Sequence, residues 1–267
     1  MDPASCGYCG GAIGPATGGA PAYLRCPWCG SLNLRPLPHA ENNEYFDDPE
    51  AIERMDAADL RRRGFLAERL SRLEEAVAGK RGRLLDVGCA TGRLMELATS
   101  RGWEVSGVEL SPTLARKAAE LLPDAQIVSA GIMEAQGLPP EGFQAIAALD
   151  VVEHVLDPLA FAQRLRELLA PGGAVLLHTP NTSGLRARLQ GERWNMRIPA
   201  YHYHLGTPEG FRALARRAGF ASLGHRTTSG TGQEAGTARL AFRLKNSLLR
   251  GLGLGNGMEL LWGRPGD

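Results

Sequence analysis

Short apolar runs alternate with amphipathic stretches over most of the chain. Runs such as RLLDVG (83–88) and FQAIAALD (143–150) are typical of buried strands. Between them, SPTLARKAAELL (111–122) and PLAFAQRLRELLA (158–170) repeat apolar residues at helical spacing. Ser111 followed by proline provides an N-cap and a first-turn proline for the first of these helices. Strands that alternate with helices predict a parallel sheet covered by helices on both faces.

The same pattern extends to the C-terminal end and predicts the remaining elements. Further strands are expected at WEVSGVEL, AQIVSAG, AVLLHTPN, ASLGHRTTS and GMELLWGRP, and further helices at 92–101 and at TPEGFRALARRAGF. Pro171-Gly172-Gly173 is expected to close the helix before AVLLHTPN. Residues 49–78 have a helical pattern that Gly64 can divide in two. We therefore predict an α/β fold with a Rossmann-like, doubly wound, mostly parallel sheet.

The first 35 residues differ from the rest, because they contain few long apolar side chains and cannot build a core of their own. They hold two C-x-x-C pairs separated by sixteen residues, Cys6/Cys9 and Cys26/Cys29. Turns of this kind let four thiolates converge at about 2.3 Å from one tetrahedral Zn²⁺. The alternative, four unliganded cysteines, leaves the segment without a reason to fold. The spacing predicts a structural zinc ribbon with no open coordination position.

Composition and charge narrow the function classes. The 267 residues are 43% apolar and 22% charged with a net charge of +1, which excludes wholesale disorder and a global field that attracts nucleic acid. No apolar stretch approaches the ~20 residues of a membrane span, and the start has no signal-peptide pattern. Five cysteines, four of them in two close pairs, indicate a reducing compartment. We therefore expect a cytoplasmic protein without a membrane span.

The strongest functional signal is LLDVGCATG (84–92), which ends a strand and opens a helix, where a parallel sheet places its ligand. Asp86 precedes the first glycine by two residues and would repel a pyrophosphate, so it suits a ligand that carries positive charge. Glu109 closes the next strand, where an acid can hold both hydroxyls of a ribose. A ribose, a cation and a glycine loop together describe S-adenosylmethionine (SAM).

These residues resemble the class I SAM-dependent methyltransferases. LLDVGCATG is similar to their first motif, with Ala90 in place of the middle glycine, and GVELS is similar to the second. LDVVEHVLDPLAFAQRLRELLAPGG resembles their fourth strand and the helix that follows it. The resemblance covers about residues 80–225 and is closest to the small-molecule group typified by ubiquinone-biosynthesis O-methyltransferases. A zinc-binding front end is also similar to that of some sugar C-methyltransferases and of one ribosomal-RNA guanine methyltransferase.

The resemblance implies the cofactor contacts. Those at the methionine end come from the glycine loop and the fourth strand, those at the ribose from the acid of the second strand, and those at the adenine from the residue after that acid and from the end of the third strand. The residues at the methionine end are Asp86, Gly88, Ala90, Gly92, Leu149 and Asp150. The residue at the ribose is Glu109, and those at the adenine are Leu110, Gly131 and Ile132.

Methyl transfer to a poor acceptor needs a base near neutral pH, usually a histidine. The candidates are His154, after the fourth strand, and His204, which ends the aromatic-rich segment 181–206 expected to form a wall of the acceptor pocket. Asp150, Glu153 and His154 resemble a cluster that holds a divalent cation in ubiquinone-type enzymes, although the shorter aspartate makes a cation here the less favoured interpretation. His178, in an apolar strand, is expected to be a hydrogen-bonded histidine at the end of the sheet.

We therefore predict a zinc ribbon (1–35), a linker and helices that cover the cofactor pocket (36–80), and a SAM-dependent methyltransferase domain (81–267). The expected reaction is O-methylation of a small molecule, most simply a sugar or secondary metabolite. Residues 237–250 are basic without an acid, and they predict a solvated helix face or contact with an acidic carrier of the substrate. The alternatives are an RNA base methyltransferase, disfavoured by the near-neutral ribbon, and a protein that binds SAM without turnover.

Overall fold

The computed structural model describes residues 4–14, 22–41, 48, 50, 52–53, 56, 62–228, 249 and 251–266. Its strands in chain order are β1 Ala22–Arg25, β2 Leu32–Arg35, β3 Arg83–Val87, β4 Glu104–Glu109, β5 Gln126–Ser129, β6 Phe143–Leu149, β7 Leu169–Pro180, β8 His204–Leu205, β9 Ala221–Thr228 and β10 Gly257–Gly263. Its helices are α1 Arg63–Ala76, α2 Arg93–Ser100, α3 Pro112–Leu121, α4 Pro158–Leu168, α5 Leu185–Gln190 and α6 Pro208–Arg217, with short 3₁₀ turns at Val152–His154 and Gly191–Arg193.

Seven strands form one large sheet in the order β5-β4-β3-β6-β7-β10-β9. The five strands from β5 to β7 pair in parallel, and β10 is antiparallel to both of its neighbours. The strand that is last in the chain therefore lies inside the sheet. The mostly parallel, doubly wound sheet predicted from the sequence is confirmed, and the carboxyl ends of β3, β4 and β6 meet at one edge.

Successive residues of one strand pack into opposite cores. On β3, Leu84 joins the core built with α1, α2 and α3, whereas Leu85 joins the core built with α4 and α6. Because helices cover both faces of the sheet, such strands are buried on both sides and are legible in the sequence as continuous apolar runs.

Side-chain caps start three of the described helices, and Ser111 was predicted as one of them. The side chains of Ser111, Asp157 and Thr207 each accept a backbone N–H at the start of α3, α4 and α6. One boundary was predicted wrongly, because α4 ends at Leu168 and Pro171–Gly173 lie inside β7. A register shift between β6 and β7 accommodates these residues, so that the strand starts before the glycines.

Helix α1 is fixed to the far edge of the sheet by a buried ion-pair cluster. Glu259 of β10 is fully buried and pairs with Arg69 and Arg72 of α1 and with Arg226 of β9. Residues 54–55 and 57–61, in the segment where helices were predicted, lie outside the described residues, as do 237–248 and 250 of the basic segment. None of the described helices combines the length and the apolar character needed to span a bilayer.

The cysteine-rich front end shares a sheet with the C-terminal half of the chain. Strands β1 and β2 form an antiparallel sheet with β8. Tyr8 is fully buried and packs on Phe211 of α6, with 4.7 Å between ring centroids. Cys6, Cys26 and Cys29 belong to the same core as α4 and α6. The division at residues 35 and 80 stays a prediction about the sequence, since packing crosses it.

Candidate functional site

The glycine loop bends sharply after β3. Gly88 and Gly92 have φ values of +71° and +83°, and Ala90 between them has a φ of +48°. The N–H groups of Gly88 and Cys89 both donate to the Val108 carbonyl on β4. A Cβ atom on Gly88 would lie 2.5 Å from Val151, so this position needs glycine both for its backbone and for space.

Glu109 at the end of β4 is held against this loop. Its Oε2 accepts the Ala90 N–H at 2.9 Å and its Oε1 accepts the Ser111 N–H at 2.9 Å. Only 8% of the residue is exposed. The glycine loop and Glu109, two of the three features that suggested SAM, are therefore in direct contact. The Glu109 carboxylate is oriented before any ligand binds.

A cavity of about 280 Å³ opens at this edge of the sheet. Nine of the ten residues predicted to contact the cofactor line it: Asp86, Gly88, Ala90, Glu109, Leu110, Gly131, Ile132, Leu149 and Asp150. The sequence thus predicted one continuous surface, although the individual roles toward SAM stay predictions.

Gly92 does not line the cavity. It caps α2, and a Cβ atom there would lie 3.4 Å from Ala118 and from Leu122 of the α3 region. These distances are close to ordinary van der Waals contact, so the positive φ of +83° is what favours glycine at this position.

Other wall residues come from parts of the chain that carried no motif. Phe65 and Leu66 of α1 line the cavity, as do Arg62 just before α1 and Glu41. The Arg62 guanidinium lies 3.4 Å from Asp150 Oδ2, although 88 residues separate the two in the sequence. No sequence pattern distinguishes Arg62 from the two arginines beside it at positions 61 and 63.

Asp150 has the left-handed backbone conformation, with a φ of +58°, and its carboxylate faces the Arg62 guanidinium and the His178 ring. Its Oδ1 lies 2.6 Å from His178 Nδ1, and His178 Nε2 lies 3.2 Å from Thr228 Oγ1. Burial raises the pKa of Asp150, but His178 and Arg62 outweigh it and hold the pKa well below its usual range. His178 is thus a hydrogen-bonded histidine at the sheet end, as its strand predicted, and Asp150 is the partner that the sequence did not reveal.

His154 reaches the cavity wall from the 3₁₀ turn after β6. Its Nδ1 lies 2.8 Å from the Tyr201 carbonyl, which can only accept, so Nδ1 carries the proton and Nε2 carries the lone pair of the neutral ring. Burial and the neighbouring His202 lower the pKa of His154 to about 4. The ring is therefore neutral at pH 7.

His204 lies elsewhere. It is fully buried and does not line the cavity. Its Nδ1 lies 3.1 Å from Asn33 Oδ1 in the ribbon, and its Nε2 lies 3.2 Å from the Leu156 carbonyl. Burial and the Arg35 charge lower its pKa to about 3. This environment does not support the predicted role of His204 as a base, and we keep that role for His154 alone.

The segment 181–206 contributes less to the cavity than its aromatic content predicted. Trp194 packs with Leu32 and Leu205 between the ribbon and β8, and Tyr203 is fully buried. No residue of the segment is among those lining the described cavity. It supports the wall from behind, because Tyr201 stacks on the His154 ring.

The trio Asp150, Glu153 and His154, for which a divalent cation was the less favoured interpretation, is not gathered around one point. One donor atom each from Glu153, His154 and His202 lie within 4.8 Å of one another, while the Asp150 carboxylate is turned to His178 and Arg62. Glu153 is buried and accepts the Thr179 hydroxyl, and burial raises its pKa well above the usual range. The Asp150 carboxylate is therefore not gathered with Glu153 and His154 into one set of ligand atoms.

The four cysteines of the ribbon do converge. Sγ–Sγ distances are 3.7 Å for Cys6–Cys29 and 3.5 Å for Cys9–Cys26, and all four sulfurs lie within 4.8 Å of one another. A tetrahedron with ~2.3 Å metal–sulfur bonds has edges of about 3.8 Å, so the residues fit a zinc ion. The Asn33 amide and the Gly11 N–H lie 3.6 and 3.4 Å from Cys6 and Cys9 Sγ, where they can stabilise thiolates.

The sheet order, the glycine loop after β3, the acid after β4 and the cavity between them define a class I SAM-dependent methyltransferase. Residues 58–224, more than half of the chain, match the profile of a family described as the methyltransferase domain. The chain belongs to this family of enzymes.

Sequence and structural relatives agree with this assignment. The chain is 36% identical over 149 residues to a ubiquinone biosynthesis O-methyltransferase of Cereibacter sphaeroides, a match that covers 51% of this chain and 59% of the relative. It therefore spans about three fifths of the length of that curated relative. A SAM-dependent methyltransferase of Thermotoga maritima, described as a possible histamine N-methyltransferase, shares the fold with a TM-score of 0.57 at 17% identity, covering 80% of this chain and 95% of that one.

A phosphoethanolamine N-methyltransferase of Haemonchus contortus, solved with SAM, shares the fold with a TM-score of 0.54 at 18% identity. That match covers 75% of this chain and 53% of the other.

Proposed function

We propose that the chain transfers the methyl group of SAM to a hydroxyl oxygen of a small molecule, a sugar or secondary metabolite. The observation that carries the proposal is the joint wall of one cavity. Glu109 and the glycine loop form one part of it, and a neutral histidine with its Nε2 lone pair forms another. The 36% identical relative is a ubiquinone biosynthesis O-methyltransferase, which supports oxygen as the acceptor atom.

In this reading the Glu109 carboxylate receives the ribose hydroxyls, and the Asp86 carboxylate faces the methionine ammonium. Arg62, beside Asp150, offers a guanidinium to the methionine carboxylate. SAM supplies an activated methyl group, so the protein mainly aligns the acceptor oxygen with it and excludes water.

His154 removes the proton of the acceptor. An oxygen that receives a methyl group while it keeps its proton becomes strongly acidic, so even a weak base takes that proton. A ring with a pKa of about 4 is neutral at pH 7, which is the protonation state in which a histidine acts as a base. The Tyr201 carbonyl fixes the tautomer, which keeps the accepting nitrogen the same in every turnover.

The ribbon holds one zinc ion through Cys6, Cys9, Cys26 and Cys29, which stabilises its two turns. All four ligands come from the protein, so the ion takes no part in the transfer. The ribbon is also poorly suited to RNA, because Arg35 is 3% exposed and donates to the carbonyls of Leu34 and Ser5. That geometry weighs against a base methyltransferase that uses the ribbon to contact phosphates.

Methyl-labelled SAM offered with a catechol, a simple phenol and a methyl hexoside tests the proposal. We expect the label on oxygen in at least one of these probes, identified by mass spectrometry of the product. Label that enters an added RNA and none of the hydroxylated probes would contradict it. SAM that binds and is never turned over with any acceptor would support the binding-protein alternative.

A further inference from the structure

Asn33 occupies the junction between the cysteine cluster and β8. It is fully buried on β2, directly opposite His204 in the antiparallel pairing. Its Oδ1 accepts the N–H of Gly7, inside the first C-x-x-C turn, at 3.0 Å. Its Nδ2 lies 3.6 Å from Cys6 Sγ and donates to the Ser31 carbonyl at 3.3 Å. Because a backbone N–H must meet the oxygen, the Gly7 contact fixes the orientation of this amide.

The other side of Asn33 leads to the segment that carries His154. His204 Nδ1 donates to Asn33 Oδ1, and His204 Nε2 lies against the Leu156 carbonyl. Backbone hydrogen bonds make a second connection between the ribbon and this segment. The Leu34 N–H donates to the Tyr203 carbonyl, and the Tyr203 N–H donates to the Glu153 carbonyl, each at 2.8 Å. Two successive hydrogen bonds thus link the ribbon to Glu153, just before His154, and two successive polar contacts link it to Leu156, just after.

The Tyr8 and Tyr23 hydroxyls also donate to this segment, at the His204 and His202 carbonyls, whereas two other polar anchors of the ribbon lead to α6. Arg217 of α6 donates to the Tyr8 carbonyl at 2.8 Å, and Thr207 donates to the Cys29 carbonyl at 2.6 Å. These contacts fasten the ribbon to the start and end of α6 and do not reach residues 152–156. They allow the attachment of the ribbon to be separated from its effect on the site.

We infer that Asn33 is a positioning residue that couples the four-cysteine cluster to the turn bearing His154, so that the ribbon sets the geometry of the acceptor side of the cavity. Loss of the amide removes the acceptor of two buried donors, Gly7 N–H and His204 Nδ1–H, and the surrounding segment must rearrange to satisfy them. The inference rests on the proposed role of His154, and it extends that role to a residue outside the cavity.

The test compares Asn33→Ala with Arg217→Ala, since both remove a side chain that contacts the first C-x-x-C turn and only one reaches His204. Both proteins are loaded with zinc, saturated with S-adenosylhomocysteine and studied by NMR. We expect Asn33→Ala to shift the His154 ring signal and to speed amide exchange of Tyr203 by about tenfold or more. Arg217→Ala should leave both as in the unmodified chain, and S-adenosylhomocysteine affinity should stay within about twofold in each variant.

A second variant covers the case in which Asn33→Ala does not fold. His204→Gln removes the ring nitrogen that contacts Asn33, so it should shift the same two signals. Unchanged His154 and Tyr203 signals in a folded Asn33→Ala or His204→Gln protein would overturn the inference, as would equal changes in Arg217→Ala. These NMR signals can be recorded without a methyl acceptor. Failure of the Asn33 coupling is therefore distinguishable from failure of the proposed O-methyl transfer.

Discussion

Glu109 accepts one backbone N–H on each carboxylate oxygen, and these contacts hold its carboxylate at the cavity wall. Replacing it with glutamine keeps the shape and removes the charge that strengthens contacts with ribose hydroxyls. Hydrogen bonds to charged groups contribute about 1.5–3 kcal/mol, so SAM affinity should fall about ten- to a hundredfold in calorimetry. Glu104→Gln, at the exposed start of the same strand, is the control and should bind SAM normally. Unchanged affinity in Glu109→Gln would refute the ribose assignment.

His154 gives a pH dependence that the unperturbed histidine value does not predict. Its lowered pKa means that the accepting, neutral form is present above about pH 4 and is lost as the pH falls through that value. The rate should therefore stay level from pH 8 to below 6, rather than lose a limb near the ordinary value of about 6.5. A limb at that ordinary value would show that the ring is not buried in the working enzyme.

His154→Gln should lower turnover by about a hundredfold or more, since a positioned base contributes about 10²–10⁴-fold, and SAM affinity should remain nearly unchanged. The control is His225→Gln, on the exposed strand β9. Near-normal turnover of His154→Gln across pH 5–8 would indicate that alignment alone drives the transfer to an acceptor that is already ionised.

The stability and SAM binding of the glycine loop as an element can be tested with two glycine-to-alanine variants. Gly88→Ala combines a positive φ with a 2.5 Å approach to Val151, whereas Gly79→Ala has a φ of +70° and no atom within 4 Å of its new Cβ. Backbone strain and overpacking each cost about 1–3 kcal/mol, so urea unfolding should show the larger loss for Gly88→Ala. Only Gly88→Ala should also lose SAM binding. Equal losses of stability would mean that Val151 moves away freely.

Elements were predictable from the sequence where the information is local. The caps Ser111, Asp157 and Thr207 lie next to the helices that they start, and the central strands are continuous apolar runs. The same locality explains the main misses. His204 stood beside a motif-like segment, but its environment comes from Asn33, 171 residues away. The Arg62–Asp150 contact likewise depends on how α1 folds back on the sheet.

At the scale of the whole molecule, the ribbon and the methyltransferase sheet share one core. From sequence alone, Cys26→Ser is expected to unfold residues 1–35 and to leave the glycine-loop region folded. The packing of Tyr8 on Phe211 and the sheet formed by β1, β2 and β8 change that expectation. Loss of the cluster should lower the melting temperature of the entire chain in one cooperative transition.

Elemental analysis should find one zinc per chain in the unmodified protein and in the control Cys89→Ser, whose cysteine lies outside the cluster. Cys26→Ser should bind zinc weakly or not at all. Calorimetry that resolved two independent transitions in the unmodified chain would contradict the shared core, and absence of zinc from protein purified without chelator would contradict the metal assignment.

We propose that SAM occupies the cavity between the glycine loop and Glu109, with its reactive end toward His154. A crystal structure with S-adenosylhomocysteine will show whether this placement is right. We expect the ribose hydroxyls on the Glu109 carboxylate, the ammonium near Asp86, and the sulfur facing a space bounded by His154 and Asp150. A product bound outside this cavity, or bound with its ribose away from Glu109, would contradict it.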